Sequence, residues 1–150
     1  MSHTHLLYHI IYGTKNRLPL ISESWEPDFY KQMGGIVRNH QGIPIEINGM
    51  PDHLHMLVRI KPVITVADFL RQTKAISSGW IRRAHEPKFR WQRRYGAFSV
   101  SESVSEAVRK YIRNQKSITR NRRSKTNIKS YCVCIAWSSM RNICGSDVRW

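Results

Sequence analysis

Two histidines that are separated by one residue, His53 and His55, are the strongest chemical signal in the sequence. They lie in the largely apolar run of residues 50–60, and in a β-strand successive side chains point to opposite faces. His53 and His55 would therefore share one face, whereas Leu54 and Met56 would share the other. Two imidazoles side by side on one strand can bind a single metal ion, although paired histidines also occur as ordinary surface residues. On its own the pair leaves both interpretations open.

A second pair of chemically interesting residues, Tyr111 and Gln115, follows later in the chain. Val104, Val108 and Ile112 recur at a spacing of four residues, which predicts an amphipathic helix. On such a helix Tyr111 and Gln115 lie one turn apart on the same face. A single tyrosine in this setting is usually a half-buried aromatic residue. The coincidence of a histidine pair, a tyrosine and a glutamine in this order favours a functional role instead.

The elements that must position these residues follow the order β-α-β-β-α-β-α. Strands are predicted at residues 6–12, 43–48, 53–60 and 95–100, which are bounded by glycine and other turn residues. Helices are predicted at about 28–40, 65–83 and 103–116, with Asp28 and Thr65 as N-caps and a Ser103–Glu106 capping box. This order predicts the α+β class, as a ferredoxin-like antiparallel sheet with helices packed on it and Tyr111 on the third helix.

The charge of the chain is strongly positive. Its 150 residues include 25 Lys and Arg against 10 Asp and Glu, a formal net charge of +15. Such a field favours nucleic acid or another polyanion, although a solvated basic surface or a basic tail would give the same composition. Residues 116–150 hold eight basic residues and one acidic residue and so contribute +7, which leaves +8 for residues 1–115. Phosphate binding is therefore expected of the first part of the chain without help from the tail.

Length, hydropathy and cysteine content limit the class of protein. At 150 residues the chain suits one domain with its own core. It contains no apolar run long enough to cross a membrane, and its start lacks the layout of a signal peptide, so a cytoplasmic protein without membrane association is expected. Cys132, Cys134 and Cys144 fit neither a disulfide framework nor a recognised four-ligand zinc spacing.

Taken together, these residues resemble a known family, the HUH-type single-tyrosine transposases of small bacterial insertion sequences, which are related to the REP-associated tyrosine transposases. The HUH label denotes His, a hydrophobic residue and His, which His53-Leu54-His55 matches. Tyr111 matches the family's catalytic tyrosine, and Gln115 matches its third metal ligand. Further matching segments lie at residues 8–17, 50–53, 74–78 and 91–98, so the resemblance spans residues 5–115.

The resemblance implies a metal-dependent DNA transposase that cleaves and rejoins single-stranded DNA at hairpin-bearing element ends. Tyr111 would attack a DNA phosphate and leave a 5′-phosphotyrosine on the protein and a free 3′-hydroxyl on the DNA. His53, His55 and Gln115 would hold a divalent ion, Mg²⁺ or Mn²⁺, and imidazole with an amide oxygen suits Mn²⁺ well. Relatives act as homodimers, which implies a homodimer here as well.

Basic residues interleaved with aromatic residues are candidates for contact with single-stranded DNA. In residues 88–95, rings that could stack on bases alternate with cations that could bind backbone phosphates. A core tryptophan among solvated arginines would show the same pattern, so this segment does not decide the matter alone. The residues expected to bind DNA are Lys15, Arg17, Lys74, Lys88, Arg90, Trp91, Arg93 and Arg94.

After Gln115 the sequence departs from the family. Relatives continue with a further helix and an acidic ending, whereas residues 117–150 form a basic run with cysteines and serines. For this run, codons can be chosen so that a one-base shift restores both an acidic, histidine-containing start and the acidic ending. We therefore divide the chain into a transposase domain, residues 1–116, and an anomalous tail, residues 117–150, and hypothesise that one base is missing after the Gln115 codon. Coding DNA in which no one-base shift restores the acidic ending would contradict this.

The sequence leaves two other functions open. A non-catalytic or domesticated DNA-binding remnant would keep the basic face and bind single-stranded DNA, while the altered tail would prevent turnover. An unrelated RNA-binding module with a ferredoxin-like fold would carry its histidines incidentally. Covalent attachment to DNA, metal dependence and preference for RNA distinguish these alternatives.

Overall fold

A four-stranded sheet forms the centre of the computed structural model, which describes residues 4–117. The strands are β1 (Leu7–Gly13), β2 (Gly42–Met50), β3 (His53–Ile60) and β4 (Gly96–Ser99). The helices are α1 (Glu26–Asn39), α2 (Val66–Ala84) and α3 (Glu102–Arg113), and a short 3-10 turn spans Lys15–Arg17. The strand order is β2-β3-β1-β4 and every neighbouring pair is antiparallel, which confirms the predicted ferredoxin-like α+β architecture.

The two faces of the sheet bury side chains against different helices. One face carries Leu54 and Met56 of β3 and packs against α1 and α2 in what we call the larger core, which includes Phe29 and Phe69. The opposite face carries the two histidines of β3 and is covered by α3. What we call the smaller core joins this face to α3 and consists of Leu7, Leu57, Val108 and Ile112. The alternation along β3 is therefore the predicted one.

Two of the helices begin at residues other than the predicted ones. The N-cap of α1 is Trp25 instead of the predicted Asp28, so the helix begins three residues earlier, at Glu26. Pro27 fits the first turn, where its missing N–H costs no hydrogen bond. α3 begins at Glu102 with the extended residue Ser101 before it, so the predicted Ser103–Glu106 capping box does not form. The chain leaves β4 and enters α3 after two residues, and this short connection, rather than the local capping signature, sets the start of α3.

The hairpin that joins β2 to β3 sets the position of the first histidine. Met50 pairs with His53, so only Pro51 and Asp52 form the turn. A Cβ on Gly49 would lie 2.3 Å from the backbone oxygen of His53, closer than any side chain can approach. Glycine is therefore required at this position, and its small size holds the start of β3 close against β2.

The described residues cover the predicted transposase domain, apart from its first three residues. The anomalous tail predicted at residues 117–150 lies outside the described residues except for position 117, and so does the hypothesis about its reading frame. Among the helices of residues 4–117, none is both long enough and apolar enough to cross a bilayer.

Candidate active site

The histidine pair and the candidate tyrosine meet on the face of the sheet that α3 covers. The ring centres of His53 and His55 lie 5.0 Å apart, and the ring of Tyr111 stands edge-on to His55 at 5.9 Å. β3 and α3 are distant in sequence, so the fold brings together three of the four residues assigned by resemblance. Gln115, the fourth, is buried just beyond Asn114, the residue that ends α3.

A third histidine, His9 of β1, belongs to the same cluster. β1 and β3 pair so that His9 lies opposite Leu57, which places it on the face that carries His55. Nε2 of His9 lies 3.0 Å from Nδ1 of His55, and the two rings stack with their centres 5.3 Å apart. The ring of Tyr111 meets His9 edge-on at 6.2 Å. No local pattern in the sequence singled out His9, although strand alternation places it on the same face of β1 as Leu7 and Ile11.

The contact with His9 determines which nitrogen of His55 is available to a ligand. Nδ1 faces His9, whereas Nε2 is buried and has no hydrogen-bond partner among residues 4–117. A buried polar atom without a partner costs about 1–3 kcal/mol, which a ligand that accepts its lone pair would recover. Burial, followed by the charges of His53, His9 and Arg17, lowers the pKa of His55 well below its usual value. Neutral imidazole with an available nitrogen is the form that binds a metal ion.

The other histidine of the pair is held by an acidic residue. Oδ1 of Asp52 lies 2.6 Å from Nδ1 of His53, and Oδ2 of Asp52 lies 3.1 Å from Nη2 of Arg17. Burial alone would raise the pKa of Asp52, but the hydrogen bond and charge of His53 and the charge of Arg17 lower it below its usual value. A carboxylate bound to Nδ1 of a histidine fixes the ring and leaves Nε2 for a metal ion. Both histidines of the pair are therefore held through Nδ1.

The donors at the site fit a divalent cation only if an amide joins the two imidazoles. No three His, Cys, Asp or Glu side chains converge as metal ligands in the part of the chain that the structure describes. His9 and Asp52 are each engaged by one histidine of the pair, so neither can serve as the third ligand in this arrangement. The amide oxygen predicted for Gln115 is a suitable ligand, and two imidazoles with one amide suit Mn²⁺, or Mg²⁺ when phosphate and water complete the coordination.

Polar contacts between α3 and β2 hold the helix that carries the candidate tyrosine. Oε2 of Glu46 accepts hydrogen bonds from Nε of Arg109 at 3.1 Å and from Nη2 of Arg113 at 2.8 Å. Nδ2 of Asn48 donates to the backbone oxygens of Ile112 and Arg113, both at 2.9 Å. These oxygens belong to the last turn of α3, where helix carbonyls lack partners within the helix. Asn48 therefore caps the helix end that leads into the predicted third ligand.

Replacing Asn48 by Asp is expected to weaken the attachment of α3. The carboxylate cannot donate to the two backbone oxygens and adds a negative charge at the negative end of the helix dipole. We expect the free energy of unfolding to fall by about 2 kcal/mol for Asn48→Asp and by about half as much for Asn48→Ala, measured by urea denaturation. Equal stability of Asn48→Asp and the wild type would show that Asn48 does not cap the helix.

A further contact lies immediately after Gln115. The ammonium group of Lys116 contacts the buried carboxylate of Glu26, which also accepts a hydrogen bond from the hydroxyl of Tyr30. This contact ties the chain after α3 to the first turn of α1. The reading-frame hypothesis would place Glu instead of Lys at position 116, so a restored frame would need to accommodate two carboxylates here.

The predicted DNA-binding residues gather at the end of the sheet that carries His53. Gly13 of β1 pairs with His53 on one side, and on the other side its backbone oxygen accepts a hydrogen bond from the backbone N–H of Gln92 at 3.0 Å. The backbone N–H of Lys15 donates to the oxygen of Arg90 at 2.8 Å. Neighbouring strands lie about 4.8 Å apart, so residues 90–92 run about 10 Å from the backbone of His53.

The cations at this end of the sheet are largely open to solvent. We call them the basic end: Lys15, Lys88, Arg90, Arg93 and Arg94, all of which are exposed. Lys15, Lys88, Arg90 and Arg93 form no salt bridge within residues 4–117. Exposed cations beside the histidine pair can attract a nucleic-acid backbone toward it.

Two other residues predicted to bind DNA have partners inside the protein. Nε1 of Trp91 donates to Oγ of Ser77 at 2.9 Å, and its ring packs edge-on against Tyr12 with the centres 4.8 Å apart. Arg17 binds Asp52, and its backbone adopts a left-handed conformation with φ of 56°, which residues with side chains rarely adopt. Trp91 therefore anchors the loop of the basic end to the larger core, and Arg17 supports the carboxylate that holds His53.

The side chain of Lys74 binds the backbone of the same loop. Nζ of Lys74 donates to the backbone oxygens of Gln92 at 2.7 Å and Arg93 at 3.2 Å, and it lies 5.0 Å from the centre of the Tyr12 ring. Burial lowers the pKa of Lys74 to about 8. The ammonium form is therefore the main form at neutral pH, and it is lost in mildly alkaline solution.

Replacing Lys74 by Met is expected to loosen this loop. The backbone oxygens lose a charged donor, so trypsin should cleave after the exposed Arg93 and Arg94 several-fold faster than in the wild type at about pH 7. At about pH 9 the difference should shrink, because Lys74 of the wild type has then largely lost its charge. Arg71→Met, on the exposed side of the same helix, is the matched control and should leave the rate unchanged. Identical rates for Lys74→Met and the wild type at neutral pH would rule out this role.

Comparison with known families gives a match over most of the chain. Residues 2–115 match the sequence model of the family described as "Transposase IS200 like", a range that contains His9, the histidine pair and Tyr111 and ends at Gln115. No curated protein sequence matches the chain at a significant level.

Two solved structures resemble the fold. A candidate transposase from Deinococcus radiodurans R1, determined at 1.90 Å, is 24% identical with a TM-score of 0.62, and the alignment covers 76% of this chain and 93% of that one. A REP-associated tyrosine transposase bound to a REP hairpin is 12% identical with a TM-score of 0.60, and the alignment covers 79% of this chain and 73% of that one. At these identities the likeness shows a common fold.

Proposed function

We propose that this chain, which belongs to the IS200-like transposase family, cleaves and rejoins single-stranded DNA through a covalent phosphotyrosine. The observation that carries the proposal is the position of Tyr111, whose ring centre lies 5.9 Å from that of His55 on the face that also bears His53. A hydroxyl nucleophile beside two imidazoles suits phosphoryl transfer, which depends on positioning and on charge stabilisation at the phosphate.

Tyr111 is the nucleophile of the proposed reaction. Its Oη attacks a DNA phosphorus, the new P–Oη bond forms, and the bond to the 3′-oxygen of the preceding nucleotide breaks. The products are a 5′-phosphotyrosine and a free 3′-hydroxyl. The phosphate ester remains intact as a covalent link, so a 3′-hydroxyl can later displace the tyrosine and reseal a strand without ATP.

His53, His55 and Gln115 are the residues that would hold the metal ion in this proposal. Bound Mg²⁺ or Mn²⁺ would supply charge stabilisation at the phosphate oxygens. Asp52 holds the ring of His53 through Nδ1, and the nitrogen of His55 that remains available is buried away from bulk water. The protein therefore contributes imidazoles that are held through Nδ1 and whose orientation does not need to change when the ion binds.

Single-stranded DNA with a neighbouring hairpin is the proposed substrate. The basic end supports this choice, because its cations are exposed and the backbone of residues 90–92 runs about 10 Å from that of His53. The REP-associated transposase of similar fold is bound to a hairpin, and we extend that property to this chain as part of the proposal. A homodimer, which the sequence resemblance implies, is also proposed; Tyr111 and His55 of one chain already lie side by side without a second copy.

Incubation with hairpin-bearing single-stranded DNA tests the proposal. End-labelled DNA pools with a fixed hairpin and randomised flanks would be mixed with the full chain in Mn²⁺, in Mg²⁺ or in EDTA. A labelled band that survives denaturing electrophoresis, requires the metal and is absent with fully paired duplex supports the transposase. Binding without a covalent product would instead identify a non-catalytic remnant, and metal-independent preference for RNA would identify an RNA-binding module.

A further inference from the structure

We propose that His9 is a positioning residue that fixes the ring of His55, so that Nε2 of His55 faces the metal-binding position. This inference rests on the proposed function, in which His55 is a metal ligand. His9 acts through His55, from the neighbouring strand, and it is a different kind of support from the carboxylate that holds His53.

The geometry of the pair is that of a fixed hydrogen bond. The N···N distance is 3.0 Å, the rings stack at 26°, and the exposed fractions of His9 and His55 are 3% and 1%. Both residues lie in the interior of adjacent, fully paired strands, so neither backbone can shift to lengthen the contact. The ring of His55 is therefore held in one orientation before any ligand arrives.

The direction of the hydrogen bond follows from what surrounds His55. In one arrangement Nδ1–H of His55 donates to Nε2 of His9, and Nε2 of His55 carries a lone pair. In the other arrangement His9 donates, and Nε2–H of His55 is a buried donor. No acceptor for such a donor lies within hydrogen-bond distance among the described residues, and buried N–H groups without acceptors are rare. The first arrangement is therefore favoured, and it is the one that can bind a metal ion.

A neutral brace at this position also suits an anionic substrate. In the favoured arrangement Nε2 of His9 accepts the hydrogen bond from Nδ1–H of His55, and an imidazole that accepts through a ring nitrogen adds no charge. A second carboxylate in its place would add a negative charge beside the phosphate that the site must bind. His53 is thus held by a charged residue, Asp52, which is paired with Arg17, whereas His55 is held by an uncharged one, His9.

Two substitutions of His9 separate hydrogen bonding from packing. His9→Gln keeps an acceptor near the position of Nε2 but loses the ring, whereas His9→Phe keeps a ring but loses the acceptor. Measured by calorimetry with Mn²⁺ alone and no DNA, His9→Phe should bind about 10- to 100-fold more weakly than the wild type, and His9→Gln should stay within a few-fold of it. Weaker Mn²⁺ binding by His9→Gln than by His9→Phe would show that the ring of His9 matters only for packing, and it would overturn the inference.

Nitrogen NMR of the metal-free wild type gives a readout that needs no variant. Nδ1 of His55 should carry the proton and Nε2 should not, and a spectrum with the proton on Nε2 would overturn the inference. Failure of the proposed function is distinguishable from failure of this inference. A wild type that binds no Mn²⁺ contradicts the metal site while the spectrum still decides the hydrogen bond, and equal Mn²⁺ affinity of wild type and His9→Phe contradicts only the role of His9.

Discussion

Replacing Tyr111 by Phe should abolish the covalent protein–DNA product while the protein still folds and binds metal. The change removes one oxygen atom, and no other group of this side chain can form the phosphate ester. We expect the yield of adduct on hairpin-bearing single-stranded DNA to fall on the order of 10⁴-fold or more, since loss of a nucleophile removes the reaction route itself. Edge-on contacts of the ring with His9 and His55 are retained by Phe, so the arrangement of the site should persist.

Tyr95→Phe is the matched control for this experiment. Tyr95 is another partly buried tyrosine, and it precedes β4 beside the loop of the basic end. Tyr95→Phe should still form the adduct, because the hydroxyl of Tyr95 takes no part in the proposed reaction. Both variants should bind the uncleaved DNA with similar affinity. An adduct that persists in Tyr111→Phe, or that disappears in Tyr95→Phe alone, would mean that the nucleophile has been misassigned.

Replacing His55 by Leu should remove metal binding with little effect on the metal-free fold. Leu fills a similar volume in the buried position and offers no ligand, so we expect Mn²⁺ affinity to fall by more than about 100-fold. In the wild type the buried Nε2 of His55 has no hydrogen-bond partner among residues 4–117, and Leu removes this unfavourable atom. The gain offsets part of the free energy that is lost with the His9 contact. The free energy of unfolding without metal should therefore change by only about 1 kcal/mol.

Unfolding measured with and without Mn²⁺ separates these two effects. At a Mn²⁺ concentration about 100 times the dissociation constant, the wild type should gain about 2.7 kcal/mol of stability, and His55→Leu should gain almost none. His40→Leu, which changes a histidine at the end of α1, is the matched control and should respond to Mn²⁺ like the wild type. Undiminished stabilisation of His55→Leu by Mn²⁺ would show that the ion binds elsewhere.

The sequence was sufficient where a local period decides the structure. Alternation along β3 placed His53 and His55 together on the face away from the larger core, and the spacing along α3 placed Tyr111 on a face with Val108. The order of elements also indicated the sheet, since antiparallel pairing of neighbouring strands leaves few arrangements open.

The sequence was insufficient where long-range contacts decide the structure. His9 joins the site because of the register between β1 and β3, a pairing across 46 residues that no local pattern specifies. The same is true of Lys74, whose ammonium group is bound by a loop 18 residues later. The capping signature at Ser103 was misleading because the short connection from β4 determines where α3 starts.

The unequal sizes of the two cores determine which part of the molecule opens first. The smaller core contains only four buried residues, against which Tyr111 packs. The polar contacts of α3 with β2 are ion pairs and hydrogen bonds at partly exposed positions. Local unfolding of α3 should therefore require much less free energy than global unfolding, and added salt should lower it further. Such opening would carry Tyr111 away while both histidines of β3 stayed in the folded sheet. If Tyr111 acts as proposed, local unfolding would withdraw it from the site without loss of the fold.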